Sequence, residues 1–105
     1  PIRVMFRFHA GVPFRQSSDE AKAAYRAQIK QAFAKWKSAG VKMVGSFHGW
    51  GEGVGGYAHY VLFDVDDLET VHQMNGDIFD RGGIYQKHSF DVGLPPIAEA
   101  MWESA

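Results

Sequence analysis

The chain contains no cysteine. That excludes a disulfide scaffold, an iron–sulfur site, a zinc site built on thiolates and a thiol nucleophile. Charge of one sign is also missing. Eleven Lys and Arg stand against twelve Asp and Glu, for a formal net charge of -1. With no basic surplus to neutralise phosphates, nucleic acid is not an expected partner. No apolar run approaches the roughly 18 residues of a membrane span. The N-terminal stretch does not read as a secretory signal, because Arg3 and Arg7 interrupt it and no cleavage site follows. The expectation is a soluble, cytoplasmic protein. Repeats, linkers and low-complexity stretches are absent too. What is present is the composition of a folded domain: 46% hydrophobic residues, with eight Phe, four Tyr and three Trp. The 105 residues fit one domain, spanning 1–105. A chain of this size buries roughly 65% of its unfolded surface, enough for a core without covalent staples.

Hydrophobic periodicity orders that domain. Ile2, Val4, Phe6 and Phe8 alternate with Arg3, Met5, Arg7 and His9, the period of two of a strand with one apolar face. Residues 10–16 hold Gly11 and Pro13 and read as a loop. Ser17 and Glu20 have the spacing of a capping box, which starts a helix. Ala21, Ala24, Tyr25, Ile29, Ala32, Phe33 and Trp36 form its buried stripe, and Gly40 ends it. Residues 41–50 read as a strand with Val41, Met43, Gly45 and Phe47 on one face and Lys42, Val44, Ser46, His48 and Trp50 on the other. A glycine cluster leads into a third strand over 57–65, which is expected to pair with the second as a hairpin. Asp66 and Glu69 cap a second helix whose inner face carries Leu68, Val71, Met74, Asn75, Ile78 and Phe79. A fourth strand covers 84–92. Pro95 and Pro96 then stop the sheet before a short tail helix with Ile97, Met101 and Trp102. The order strand–helix–strand–strand–helix–strand predicts a ferredoxin-like α+β fold, a four-stranded antiparallel sheet with two helices on one face. Large side chains on both strand faces exceed what one helical layer can bury, which predicts a homodimer through the open face.

Candidate chemistry rests on few residues. Gly51-Glu-Gly-Val-Gly-Gly56 matches G-x-G-x-x-G, but it opens a strand rather than a helix, so it reads as a hairpin loop and not as a dinucleotide site. Five histidines are candidates for a general base: His9, His48, His59, His72 and His88. His48, next to Trp50 and the glycine loop, ranks first. His9 beside Arg7 ranks second, and His59 and His88 fall among apolar residues. Each is more commonly a hydrogen-bonded structural residue. Arg7 could clamp a carboxylate or an enolate oxygen, or simply pair with Asp64, Asp91 or Glu103. Trp50, Tyr60, Trp36 and Phe33 could wall a substrate pocket or serve as core. No His pair stands at metal-ligand spacing, so no metal and no cofactor are expected. Pro1 carries a secondary amine that an apolar pocket would turn into a base near neutral pH.

With these elements placed, the chain resembles the dimeric α+β-barrel superfamily, which includes cofactor-free quinol-forming monooxygenases, muconolactone isomerases, haem-degrading monooxygenases and polyketide cyclases. Gly56-Tyr-Ala-His-Tyr-Val-Leu-Phe-Asp-Val-Asp-Asp-Leu-Glu69 carries the resemblance, a glycine-led strand running into an acidic helix cap. It implies a cleft between sheet and helices that holds an aromatic or hydrophobic small molecule, lined from strands one and two and helix one. The expected enzyme is a monooxygenase or isomerase acting on an aromatic or enolisable compound, with His48 or His9 as base, Arg7 on the oxyanion, and Trp50, Tyr60, Trp36 and Phe33 against the substrate. Pro1-Ile2 opening a strand and Arg15-Gln-Ser-Ser-Asp-Glu-Ala-Lys22 opening a helix resemble the tautomerase superfamily, which implies Pro1 as acid and base. A non-catalytic ligand-binding protein is the third alternative.

Overall fold

A computed structural model describes residues 1–10, 12–49, 59–79, 85–93 and 98–105, with backbone alone described for 85–87. Trp50, Tyr57 and the glycine cluster lie outside the described residues. The elements run β1 (Ile2–Ala10), α1 (Val12–Arg15), α2 (Asp19–Ser38), β2 (Lys42–His48), β3 (His59–Val65), α3 (Leu68–Phe79), β4 (Tyr85–Gly93) and α4 (Ala98–Ser104). The four strands form one antiparallel sheet in the order β2-β3-β1-β4. This is the expected ferredoxin-like α+β arrangement.

Alternation along β1 sorts the side chains as the sequence predicts. Val4 pairs with Phe63 and Val92, and Phe6 with Val61 and Phe90, all on the face covered by α2 and α3. Val4 and Phe6 are fully buried there with Ala32 and Trp36 of α2 and Val71, Met74 and Ile78 of α3. Phe6 stacks on Phe90 at 4.6 Å between ring centroids, and Trp36 meets Phe6 and Phe63 edge-on. The Trp36 indole N–H donates to Asp77 Oδ2 at 2.8 Å, so the ring is buried without an orphaned donor. Asp77 also pairs with Lys35, which ties α2 to α3.

The opposite face carries cross-strand charge pairs around an apolar row. Arg3 pairs with Asp64, its neighbour on β3, and with Glu99 of α4. Arg7 pairs with Asp91 at 2.9 Å and donates to Ser89 Oγ. Met5 and Leu62 lie between them, and Tyr60 and Phe47 continue the row of Arg7 across β3 and β2, with Phe47 stacked on Tyr60 at 4.6 Å and 6°.

Several local expectations shift. The N-cap of α2 is Ser18, which accepts from Ala21 N–H, and not Ser17. Ser17 donates its hydroxyl to Phe14 O and closes α1, a single turn where the sequence reads as a loop. Likewise Asp67, not Asp66, caps α3, accepting from both Thr70 N–H and Thr70 Oγ1 at 2.8 Å. The Thr70 backbone bond holds the Asp67 carboxyl below its ordinary value. Gly40 does end α2, at φ +92°, where a side chain would be strained. The largest departure is in β2. The register slips between Met43 and Gly45, so Val44 is an extra residue and the alternation inverts. Phe47 therefore lies with Tyr60 on the open face, and His48 pairs with His59 on the helix face. On α3, Leu68 and Phe79 are exposed rather than inward.

Candidate active site

One end of the sheet gathers the C-terminal ends of β1 and β2 and the start of β3. Phe8 and His59 are register partners there and their rings stack at 4.7 Å and 13°. His48, brought to the helix face by the bulge, meets His59 at 4.4 Å and 73°. α1 and the N-terminal half of α2 roof this corner, held together by Phe14 against Tyr25. Between roof and sheet lies a cleft of about 430 Å³. Phe8, Ala10 and His59 line it from the sheet, Phe14 from α1, and Tyr25, Arg26, Ile29, Lys30 and Phe33 from α2. The volume is in the range of small-molecule sites.

On the sheet side of the cleft His59 is the ionisable group, set beside Phe8 and Ala10. Burial pushes its imidazole below the ordinary value, and the neighbouring His48 and His9 act in the same direction. A neutral imidazole at neutral pH is a proton acceptor ready for general-base work. A strand residue stacked on Phe8 is also held more firmly than one on a loop. His9 lies on the other side of β1, and its Nδ1 is buried with no hydrogen-bond partner among the described residues.

The residues expected to work together are dispersed. His48 stands beside the cleft, in contact with His59. Arg7 is on the opposite face, bound to Asp91 and Ser89, so it does not reach a substrate held by His48. Tyr60 shares that opposite face and is buried. Phe33 lines the cleft. Trp36 does not. It lines a second, larger groove of about 760 Å³ at the other end of α2, with Phe33, Lys37, Val41, Lys42, Met43 and Phe63. Among the described residues lining that groove, the ionisable side chains are Lys37 and Lys42. Trp50 lies outside the described residues. Pro1 is exposed rather than set in an apolar pocket, and it precedes the strand end opposite His59, about 20 Å away at the rise of an extended chain.

The sequence alone places His59 behind His48 and His9. The signal that could have raised it is its place in the alternation His59, Val61, Phe63, Val65, which sets a half-buried ionisable ring on the core side. His88 shares that signal. Burial lowers its imidazole too, and its Nε2 lies 2.9 Å from Asn75 Oδ1. Because Asn75 presents an acceptor, Nε2 carries the proton. Among the described residues no group of three or more His, Cys, Asp or Glu could hold a metal ion.

The sheet order and the paired strand–helix–strand units define a ferredoxin-like protein, and solved structures agree. The crystal structure of FFRP-DM1 superposes with a TM-score of 0.50 at 11% identity, covering 90% of this chain and 100% of the other. The 5-chloro-2-hydroxyhydroquinone dehydrochlorinase TftG of Burkholderia phenoliruptrix AC1100, in complex with 2,5-dihydroxybenzoquinone, superposes with a TM-score of 0.50 at 15% identity, covering 91% of this chain and 94% of its own. At these identities the likeness is one of fold. No protein-family model and no curated protein matches the sequence.

Proposed function

We propose that the protein is a small-molecule enzyme that starts its reaction by proton abstraction from an aromatic or enolisable compound held between the sheet and α2. His59 is the general base, and His48, edge-on against it, takes up or passes on the proton. The observation that supports this reading is the desolvated His59 imidazole on the sheet side of the cleft, among Phe8, Ala10, Phe14, Ile29 and Phe33. The neutral ring removes a proton from an acidic O–H or C–H, giving imidazolium and an enolate or phenolate. Returning the proton to another carbon is isomerisation. Transfer of an electron from the anion to dioxygen opens oxygenation. The fold neighbour TftG is a dehydrochlorinase of a chlorinated hydroxyhydroquinone, a compound of the same class.

Deuterium wash-in from D2O, followed by proton NMR on a panel of hydroquinones and enolisable aryl ketones, tests the base directly. His59→Gln should lower exchange or turnover by about a hundredfold or more, the usual worth of a general base, with an unchanged fold by circular dichroism. Unchanged exchange removes His59 from the mechanism. A protein that binds such compounds but exchanges none of them is a binding module.

We also propose a homodimer through the open sheet face. The row Met5, Leu62, Tyr60 and Phe47, flanked by charges that are already paired, has the apolar centre and satisfied rim of an interface. Met101 and Trp102 of α4 are 66% and 84% exposed, as residues that meet a partner subunit would be in a lone chain. Light scattering on the purified protein should give twice the chain mass; a monomer overturns it.

A further inference from the structure

The roof of the cleft has a charge pattern that the fold does not explain. Lys22, Arg26 and Lys30 follow one another at intervals of four on α2, so they share one side of the helix. Like charges at that spacing destabilise a helix. After Asp19 and Glu20, α2 contains no acidic residue to offset them. The helix dipole does not favour them either: Lys22 lies at the end of the first turn, where cations are unfavourable, and Arg26 and Lys30 are too far from the C-terminus to gain from it. None of the three is ion-paired among the described residues, whereas Lys35 on the same helix has found Asp77. Arg26 and Lys30 line the cleft, with the Arg26 guanidinium carbon 5.9 Å from the Phe14 ring centroid.

We infer that this row selects the ligand: the cleft takes a small aromatic carboxylate, with its ring among Phe8, Phe14 and Phe33 and its carboxylate at Arg26 and Lys30. The neutral His59 ring below leaves the ring-binding part of the cleft uncharged, so recognition divides into an apolar slot and a cationic rim. A guanidinium offers a carboxylate two parallel N–H bonds, and the lysine adds a point charge one turn further on. Arg7, which the sequence offered for this task, has its own partners on the other face of the sheet. The inference rests on the proposed site for the location of the cleft but not on catalysis there.

Titration calorimetry or saturation-transfer NMR with benzoate, and with benzamide as its uncharged counterpart, tests it. Benzoate should bind about tenfold or more tightly than benzamide, and its affinity should fall as salt is raised from low to physiological strength. The double variant Arg26→Gln/Lys30→Gln should lose about tenfold or more for benzoate and leave benzamide unchanged. Lys35→Gln, whose partner is Asp77 outside the cleft, should change neither. Equal binding of the two probes, or full retention of benzoate by the double variant, overturns the inference. The two readings fail separately. Charge-selective binding with no deuterium exchange on any substrate leaves the carboxylate site standing and removes the enzyme. Exchange on neutral substrates with no preference for benzoate does the reverse.

Discussion

The two faces of the sheet are built from the same strands and treat ionisable groups in opposite ways. On the open face each arginine of β1 faces a carboxylate. Arg3 bonds Asp64 through Nε at 2.9 Å, and Arg7 bonds Asp91 at the same distance. The pairing raises the Arg3 guanidinium further above its ordinary value and holds the Asp64 carboxyl below its own. These charges are at rest. On the helix face stand His59 and His88, with no carboxylate paired to either among the described residues, and burial drives both rings toward neutrality. Charge that has found its partner is structural; a titratable ring that has been desolvated is free to take a proton. The comparison moves the candidate chemistry from Arg7 and His9 to His59.

The largest effect that sharpens this contrast is on stability. Phe6 is fully buried on the helix face and stacked on both Phe8 and Phe90. Phe6→Ala should cost about 3–5 kcal/mol in chemical denaturation. Phe47, on the open face, is 53% exposed in the single chain. Phe47→Ala should cost about 1 kcal/mol, chiefly the stacking on Tyr60. If the open face is a dimer interface, the stability of the unsubstituted protein should rise with protein concentration, and the same substitution should weaken that dependence. Equal losses at the two positions would break the distinction between a packed and an available face.

How far the sequence carries this picture depends on the range of the interactions involved. β1 is legible because each residue's face follows from its own parity, and a buried face leaves no freedom of register. The stop of α2 is legible because only glycine sits easily at φ +92°. The caps are displaced by one residue because two capping-competent residues stand together in each case, Ser17 with Ser18 and Asp66 with Asp67. Which one caps is settled by what the other already bonds, as Ser17 does with Phe14 O. The bulge at Val44 leaves no local mark, since Val44 suits either face of a strand. It is set by the pairing with β3, and that one residue carries His48 from the expected polar face to the side of His59. The demotion of Arg7 has the same origin, for Asp91 is 84 positions away in the chain. The cationic row on α2 lies off the buried stripe, and only the position of α1 and β1 beneath it makes it the rim of a cleft.

A smaller effect separates the two charged arrangements. Arg7→Gln removes a half-exposed pair with Asp91, and such pairs contribute little, about 0–1 kcal/mol. Turnover of any substrate found for the cleft should stay within about twofold, because Arg7 faces away from it. A loss of a hundredfold would return Arg7 to the site and set aside the division of the sheet into a structural and a chemical face.

The finest test uses pH. His59 and His88 have folded-state values below their unfolded ones, so below neutrality the unfolded chain binds more protons than the folded one. Their neutral, buried state therefore favours folding fully above the ordinary histidine value of 6.5, and stability is lost as pH falls from there through the lowered folded values. Urea midpoints measured stepwise from pH 7.5 down to 5 should decline over that window. His59→Phe, which keeps an aromatic ring against Phe8 without a titrating group, should flatten part of the decline, and His88→Phe another part. The double variant should remove most of it. On the open face, the corresponding carboxylate Asp64 is held low by Arg3, so its contribution is lost only further down, as pH falls below 3.8. A decline that persists unaltered in the double variant would place the acid sensitivity with other groups, and would show that neither ring is desolvated enough for its protonation to be felt by the fold.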